Sequence, residues 1–508
     1  MTVSNSRNGH RAIGASGFMN KVIKGILAVA ITVTAIFFLW WRGCFLPSWV
    51  QWEEKSFVYG EAQVKLHNRK LKLCNREGND LSMDRTGRKK LWCTPWDWSV
   101  QDVLCGDINR DGKEELILLV WKHGSYGTHL PFWEKRNDIR LEQHIFIYQW
   151  EETRETKLRA LWMSSALDMQ VSSMLMDQKG RLVITDVQGK STRWQWQDFG
   201  MKFAGDIKEE QVTFLCAGDN LIHVPMLYGN EDGYSGFYEN IREEVQKADI
   251  ATLNQETIFV KDQGLVSDFP EFGTPLGVGE AIAEAGFDVV TLANNHVLDK
   301  GTYGIDVTTD FYREKGITYL GVHPAWEEQS GNKEEITILK KNNIRFAMLN
   351  YTYGTNGIPN PEETPHLVER LTDEERVVQQ LDAARERADV VMVFAHWGTE
   401  YSSEIDEQQR YFTELFLEHG VDVVIGTHPH VLQPYERLTD EQGHEMLVYY
   451  SLGNLISAQE QEACKTGGLA EFTVTKALDG KITVGNERLL KIVTTHDQSG
   501  FTTNLLHE

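Results

Sequence analysis

Carboxylates, amides and imidazoles occur together at the ends of several short apolar runs in the second half of the sequence. The run 287–293 ends in Asn294, Asn295 and His296. Groups of the same kind follow four other runs: Asp219, Glu256, His396, and His428 with His430. Oxygen and imidazole donors of this kind suit borderline divalent ions such as zinc, manganese or iron. The residue types therefore predict a site for one or two such ions.

The same apolar runs alternate with longer segments of helical spacing. This alternation is typical of βα units, and ligands of such sheets bind beyond the carboxyl ends of the strands. We therefore expect the strand ends to meet in one cleft. The predicted helices are 237–247, 279–285, 304–315, 372–388 and 407–419. The pattern predicts an α/β domain over 211–457, which a loop and short strands within 458–508, mainly 467–492, complete.

Composition limits the class of protein. With 508 residues and 41% hydrophobic content, the chain is long enough for two or three domains. The formal net charge of -23 argues against nucleic acid as a partner, because phosphate neutralisation needs clustered Lys and Arg. The basic runs at 65–72 and 88–90 are interpreted as solvated faces.

The six cysteines do not have the C-x-x-C spacing of a structural zinc site or a redox motif. Two alternatives stay open for Cys74, Cys93 and Cys105: a disulfide outside the cell, or unpaired buried thiols.

An uncharged apolar run at 25–41 comes close to the ~20 residues that span a bilayer core of ~30 Å. We predict a single transmembrane signal anchor over 21–42, after a tail over 1–20. A cleaved signal peptide and a lipoprotein site at Gly43-Cys44 are the alternatives. The length of the run and the absence of a small-x-small cleavage site favour the anchor.

The charges around this run predict its orientation. Arg7, Arg11, Lys21 and Lys24 precede it, and only Arg42 follows closely. The positive-inside rule therefore places the tail in the cytoplasm and the bulk of the chain outside, at the cell membrane.

Residues 52–205 are rich in Trp and β-branched residues and have little helical periodicity, which predicts a β-rich domain. Within it, side-chain oxygens alternate along 107–115 around Gly112, as in loops that bind calcium. Leu118 at the twelfth position is not the Glu of an EF-hand. The loop resembles those of FG-GAP propeller repeats, which implies a propeller-like domain with these calcium ligands: Asp107, Asn109, Asp111 and Glu115. A plain Asp/Gly turn is the alternative.

Six motifs within 211–457 give this part of the sequence a family resemblance. They are GDNLIH at 218–223, NQE at 254–256, ANNH at 293–296 with Asp299, HWGTEY at 396–401, GTHPH at 426–430 and SLGN at 451–454. In this order they resemble the CapA family of poly-gamma-glutamate capsule proteins, which is similar in turn to calcineurin-like metallophosphoesterases. The resemblance implies an αββα sandwich.

The resemblance also implies roles for the site residues. Asp219, Glu256 and His430 would hold one ion. The other ion would lie between the bridging Glu256 and three further residues: Asn295, His396 and His428. His296 would be the catalytic residue that protonates the leaving group or stabilises negative charge. Supporting positions are His223, Asn254, Asp299, Glu400 and Asn454.

Two residues depart from the phosphoesterase pattern. Leu221 stands where the first motif has histidine, for which His223 is a candidate substitute, and Glu256 replaces the usual bridging aspartate. These departures put the first ion position in question.

The resemblance implies a protein for biosynthesis of poly-gamma-glutamate or another envelope polymer, with metal-dependent hydrolase chemistry. With the predicted N-terminal anchor, this protein would be membrane-anchored and extracytoplasmic. Its expected partners are the membrane, the polymer and synthase subunits. The alternatives are a non-catalytic subunit that binds the polymer or the synthase, and a secreted phosphomonoesterase or phosphodiesterase.

Overall fold

The computed structural model describes residues 14–41, 46–60, 62–74, 92–126, 130, 132, 134–150, 158–228, 233–324, 336–498 and 500–506. The chain divides into two compact units, Met1–Lys208 with Leu478–Gly480, and Glu209–Ala477 with Lys481–Glu508. Several positions used in the sequence predictions lie outside the described residues: 1–13 with Arg7 and Arg11, Arg42, Gly43-Cys44 and 88–90.

The N-terminal helix α1 spans Gly14–Trp41. Its segment Lys21–Leu39 has a mean hydropathy of 2.4 and is long and apolar enough to cross a membrane. A signal sequence has the same properties, so the helix can serve as an anchor or as a signal sequence. It begins inside the predicted tail 1–20, because adding residues to an existing helix costs little once the helix has formed.

The first unit also contains three antiparallel sheets. Their strands are β1 Lys55–Tyr59, β2 Ala62–His67, β3 Lys70–Cys74, β4 Ser99–Gly106, β5 Glu115–His123, β6 Leu141–Trp150, β7 Leu158–Met163, β8 Val171–Met176, β9 Leu182–Asp186, β10 Ser191–Gln197 and β11 Gly200–Ile207. Each sheet is a meander in chain order: β1-β2-β3, β4-β5-β6-β7 and β8-β9-β10-β11. The described strands of this unit form three separate sheets, and a propeller-like arrangement is not shown.

Strand β5 lies at the centre of this unit because both of its faces are buried. Alternate residues of a strand point to opposite faces. Leu116 and Leu118 enter one apolar cluster, whereas Ile117 and Leu119 enter another.

The predicted calcium loop connects β4 to β5, and its side chains accept hydrogen bonds from the loop's own N–H groups. Asp107 accepts the N–H groups of Asp111 and Gly112 at 3.0 and 2.9 Å. Asn109 accepts the same Asp111 N–H at 2.9 Å, and Glu115 accepts another loop N–H at 3.1 Å. Among the described residues these side chains form no cluster of metal ligands. The geometry is that of an Asx-type turn, and calcium binding gains no support.

Two cysteines in the described part of this unit are free thiols: Cys93, which is exposed, and Cys105, which is half-buried. Burial raises the pKa of Cys105 to about 12. For these two residues the unpaired alternative agrees with the structure, but Cys93 is not buried.

The second unit contains two larger sheets. Its strands are β12 Glu210–Asn220, β13 Ile250–Gln255, β14 Phe259–Val260, β15 Thr274–Pro275, β16 Val289–Thr291, β17 Thr318–Leu320, β18 Thr337–Lys341, β19 Ile344–Thr352, β20 Val390–His396, β21 Val423–Thr427, β22 Tyr435–Thr439, β23 Glu445–Tyr449, β24 Asn454–Ile456, β25 Thr466–Lys476, β26 Ile482–Asp497 and β27 Gly500–Leu505. Its helices are α2 Val224–Leu227, α3 Arg242–Lys247, α4 Leu276–Ala285, α5 Gly301–Lys315, α6 Glu374–Arg387 and α7 Glu407–Glu418.

One sheet has the order β17-β16-β13-β12-β25-β26-β27, with β24 also paired to β12, and the other has the order β18-β19-β20-β21-β23-β22. The predicted short strands at 467–492 are in fact the long strands β25 and β26. They are long because the two pair with each other as an antiparallel hairpin while β25 also extends the first sheet beside β12.

Apolar side chains fill the space between the two sheets. The ring of Phe214 on β12 stacks on Phe472 at 5.1 Å and meets the edge of Phe346, from the other sheet, at 5.0 Å. Helices α3, α4 and α5 pack on the outer face of the first sheet, and α6 and α7 on that of the second. The order helix, sheet, sheet, helix confirms the predicted mixed α/β fold.

The parallel strands of both sheets place the predicted site residues at the carboxyl-terminal edge of each sheet. Register places Asp219 beside Asn254 in the first sheet. In the second sheet His396 lies between Thr352 and Thr427. The polar positions at the carboxyl ends therefore lie side by side.

The position before Asp219 has no room for a side chain. A Cβ atom at Gly218 would lie 1.9 Å from the carbonyl oxygen of Gly453, and Asp219 N–H donates to that oxygen at 2.9 Å. We expect Gly218→Ala to lower the free energy of unfolding by about 3 kcal/mol or more, the upper range for overpacking. Urea denaturation measures this change. Gly485→Ala is the control, since no atom lies within 4 Å of its Cβ position; equal losses would contradict the argument.

A buried ion pair supports the end of β19. Glu369 accepts hydrogen bonds from Arg376 at 2.7 Å and Gln380 at 2.9 Å, and lies 2.8 Å from His323 Nε2. Its carbonyl oxygen accepts the N–H of Thr352 at 3.1 Å. Burial raises the pKa of Glu369, but the bonds and charges of His323 and Arg376 outweigh burial and lower the pKa to about 2.

This lowered pKa makes the stabilisation depend on pH. Because the pKa is lower in the folded state, the carboxylate stabilises the fold above about pH 4.5 and loses this effect as the pH falls towards about 2. We expect Glu369→Gln to lower the free energy of unfolding by about 3 kcal/mol near pH 7 and clearly less near pH 3. Chemical denaturation at both pH values measures this difference. A difference that does not change with pH would contradict the assignment.

Candidate metal centre

Two carboxylates and three imidazoles converge at the carboxyl ends of the strands. The ligand atoms of Glu256, His396 and His428 lie within 4.8 Å of one another, and so do those of Asp219, Glu256 and His430. All five residues are buried, and Glu256 belongs to both groups. The structure thus brings together five of the six predicted metal ligands in these groups, and the sixth, Asn295, lies next to them with its Oδ1 3.0 Å from His396 Nε2.

Glu256 follows β13 and is 0% exposed. Neither carboxylate oxygen has a hydrogen-bond partner among the described residues, and Oε1 lies 3.9 Å from His396 Nε2 and 3.8 Å from His430 Nε2. Burial, and then the charge of Asp219, raises the pKa of Glu256 well above its usual range. Buried polar atoms are nearly always satisfied, and an unpaired buried carboxylate is costly. This carboxylate therefore fits a cation between the two groups.

Asp219 and His430 form one side of the centre. Asp219 Oδ1 accepts a hydrogen bond from Asn254 Nδ2 at 2.8 Å. Its Oδ2 accepts the N–H of His428 at 3.2 Å and lies 3.2 Å from His430 Nδ1. Burial lowers the pKa of His430, but the charges of Glu256 and Asp219 outweigh it and raise the pKa to about 9. This side of the centre therefore favours positive charge.

His396 and His428 form the other side. His396 Nε2 lies 3.0 Å from Asn295 Oδ1, and its Nδ1 lies 3.0 Å from Thr427 Oγ1. His428 Nδ1 is buried, and no described residue forms a hydrogen bond with it. Burial lowers the pKa of His396 well below its usual range and that of His428 to about 3. Both imidazoles are therefore neutral, which is the form that binds metal.

The turn that carries His428 and His430 has an uncommon backbone. Their φ angles are 99° and 60°, in the left-handed region that costs a residue other than glycine on the order of 1–3 kcal/mol. Such conformations cluster at functional sites. The turn places both imidazoles in the centre although only Pro429 separates them.

His296 lies beside these groups and is held by Asp299. Its Nδ1 lies 2.8 Å from Asp299 Oδ2, which also accepts the N–H of Phe272 at 2.7 Å. The aspartate fixes the ring and leaves Nε2 as the nitrogen that can exchange a proton with a ligand. This arrangement suits the catalytic role predicted for His296.

The other predicted supporting residues differ in their contacts. Asn454 Oδ1 lies 3.1 Å from His430 Nδ1. Glu400 is exposed and acts on Glu256 and His430 through its charge. His223 is in neither group of metal ligands and pairs with Asp268 instead, so it does not take the place of the histidine missing at Leu221.

Two asparagines were missed by the sequence predictions. Asn350 Oδ1 accepts the N–H groups of Leu292 and Ala293 at 3.1 and 2.8 Å, and its Nδ2 donates to Phe394 O at 3.1 Å. It joins the ends of three strands. A lone amide within the apolar run of β19 was the available signal, because a buried amide needs partners.

The second missed residue, Asn356, is exposed and has a φ of 50°. Its Oδ1 accepts a hydrogen bond from Asn295 Nδ2 at 3.3 Å, and its Nδ2 lies 3.4 Å from His296 Nδ1. The dipeptide Asn356-Gly357 signals a turn but does not show what the turn contacts.

Two packed sheets with flanking helices, and ligand groups that share one carboxylate, define an α/β domain with a candidate metal centre. Residues 213–459 match the family model described as bacterial capsule synthesis protein PGA_cap. This part of the chain is similar to that family and is CapA-like.

Two curated relatives are similar over this part. The PGA biosynthesis protein CapA of Bacillus subtilis is 28% identical over 206 residues, 40% of this chain and 52% of the relative. The capsule biosynthesis protein CapA of Bacillus anthracis is 30% identical over 196 residues, 38% of this chain and 46% of the relative. The chain thus spans about half the length of these relatives.

Solved structures are also similar, at low identity. A phosphatase of Mycoplasma pneumoniae has 15% identity and a TM-score of 0.35, and the match covers 56% of this chain and 95% of that one. The NAD nucleotidase of Haemophilus influenzae has 10% identity and a TM-score of 0.34, with 59% and 54% covered.

Proposed function

We propose that the second unit is a divalent-metal-dependent hydrolase of the metallophosphoesterase type that acts in the biosynthesis of a capsule or other envelope polymer. The observation that carries the proposal is the buried carboxylate of Glu256, which has no donor within the described ranges and is shared by two groups of ligands. The names of the relatives, PGA biosynthesis protein and capsule biosynthesis protein, suggest poly-gamma-glutamate as the polymer.

The two groups of ligand atoms suggest which residues would hold each ion. Asp219, Glu256 and His430 would hold one ion, and Glu256 would also hold the second, together with Asn295, His396 and His428. Zinc, manganese and iron suit these donors. Divalent ions in such a centre polarise the phosphoryl group and activate water.

The protein's own residues orient the substrate and transfer a proton. Asp299 keeps the proton of His296 on Nδ1 when the ring is neutral, so that Nε2 can gain a proton and give it to the leaving oxygen. Asn356 accepts a hydrogen bond from Asn295 and so fixes the orientation of that amide at the centre. Burial of the five ligands excludes bulk water and strengthens every charge interaction at the reacting group.

The test uses the purified full chain in detergent. Elemental analysis measures bound metal, and hydrolysis is measured on phosphomonoesters, phosphodiesters and γ-glutamyl peptides with zinc, manganese or iron added. Bound metal with turnover of a phosphoester supports the proposal. Bound metal without turnover favours a polymer-binding or synthase-binding subunit, and absence of metal in every condition overturns the metal centre.

We also propose that α1 anchors the protein in the membrane with the rest of the chain outside. Lys21 and Lys24 at the start of the apolar segment support this orientation. Protease added to intact cells is expected to digest the chain after about residue 60, by the same charge rule. A membrane-impermeant maleimide should label exposed Cys93 in intact cells, and Cys93→Ser is the control. Full protection from the protease, with labelling only after lysis, would contradict this orientation.

A further inference from the structure

The ring of Phe272 contacts two histidines, and each of these histidines is paired with an aspartate. The rings of His296 and Phe272 meet edge to face with centroids 4.8 Å apart, and those of His223 and Phe272 with centroids 5.4 Å apart. His223 Nδ1 lies 2.9 Å from Asp268 Oδ1, as His296 Nδ1 lies beside Asp299. His223 is thus held in the same manner as the proposed catalytic residue.

One loop fixes both pairs. Ser267 and Gly273 exchange backbone hydrogen bonds at 3.1 Å and close the loop. Asp268 accepts the N–H of Val224 at 3.1 Å, and Asp299 accepts the N–H of Phe272 at 2.7 Å. The two imidazoles are therefore positioned by the same short segment.

The outer nitrogen of His223 is available for a ligand. His223 Nε2 is buried and has no hydrogen-bond partner in the part of the chain that the structure describes, although a buried nitrogen normally has one. With its proton on Nδ1 beside Asp268, the neutral ring presents a lone pair on Nε2. Burial, with a contribution from the charges of His430 and His296, lowers the pKa of His223 and so favours the neutral ring. The contacts of Phe272 with both rings place His223 close to His296.

We propose that His223 is a substrate-binding residue whose Nε2 accepts a hydrogen bond from a hydroxyl or amide group on the alcohol portion of a phosphoester. Phe269 is 75% exposed and lies 6.5 Å, centroid to centroid, from Phe272. It supplies an apolar surface next to this hydrogen bond. The inference rests on the proposed phosphoesterase function and names the part of the substrate that the metal ligands do not contact.

The test compares two phosphates on the metal-loaded full chain by calorimetry. Glycerol 3-phosphate carries hydroxyl donors beside the phosphate, and propyl phosphate does not. We expect the native protein to bind glycerol 3-phosphate about tenfold more tightly, which is the effect of one good hydrogen bond. His223→Ala should remove this preference and leave the bound metal unchanged.

Two further variants control for structural effects. His223→Phe keeps a ring against Phe272 but has no acceptor nitrogen, so it should also lose the preference. His419→Ala removes a histidine that is 2.8 Å from Asp382 at the end of α7, away from the strand carboxyl ends, and should keep the preference.

Each remaining outcome overturns either the inference about His223 alone or the inference together with the proposed function. Equal binding of both phosphates by the native protein, or a preference that persists in His223→Ala, overturns the inference alone. Loss of metal in His223→Ala would make His223 a metal ligand and also overturn the inference. If the metal-loaded protein binds neither phosphate, the proposed function fails and the inference fails with it.

Discussion

Replacing Glu256 by glutamine is expected to remove both ions at once, because this residue belongs to both groups of ligand atoms. An amide keeps the size of the side chain but removes the negative charge. Elemental analysis should find the protein without bound metal, and hydrolysis should fall to the background rate. Metal at about 100 times its Kd should stabilise the native protein by about 2.7 kcal/mol and the variant not at all.

The control for this variant is Glu404→Gln, which changes an exposed carboxylate of the same unit. It should keep metal, activity and the stabilisation by metal. If Glu256→Gln retains one ion with unchanged affinity, the two groups do not share this carboxylate, and the ligands must be assigned to the two ions differently.

The second large effect separates His296 from His396. His296→Ala should keep its metal and lose turnover by about 10² to 10⁴, the usual contribution of general acid catalysis. His396→Ala removes a donor from the buried group formed with Glu256 and His428 and should lose metal as well as activity. Elemental analysis of both variants beside turnover of the same phosphoester measures the difference.

A milder change tests the supporting role of Asp299. Asp299→Asn should keep metal and reduce turnover less than His296→Ala, because the ring remains but its proton is no longer fixed on Nδ1. If His296→Ala empties the centre as completely as His396→Ala, the two histidines have the same role and the assignment is wrong.

The alternation of apolar runs and helical segments was sufficient to predict the second unit. The strand ends at Asp219, Glu256 and His396 could be located from sequence because parallel strands end at one edge of a sheet. The roles predicted for these residues stay predictions, although the structure brings their side chains together. Tertiary pairing with β12 decided the length of β25 and β26, and a local pattern does not contain that information.

Contacts between distant loops could not be predicted in the same way. His223 and Asp268 are 45 residues apart, and no periodic pattern connects them. The loop at 107–115 shows the opposite problem. Its composition fits calcium, but the same carboxylates accept the loop's own N–H groups. Composition alone does not distinguish these two uses.

The two groups of ligands draw on both sheets. Asp219 lies on β12 and Glu256 follows β13 in the first sheet, whereas His396 ends β20 and His428 follows β21 in the second. Ions bound there would act as cross-links between the two sheets, which also meet through the apolar layer around Phe214 and Phe346 and through the hydrogen bonds of Asn350. A chelator would then weaken the contact between the sheets as well as stop the proposed hydrolysis. The two sheets would lose one of their links at this end, and the domain would unfold less cooperatively, since local opening of one sheet would be less tightly coupled to opening of the other.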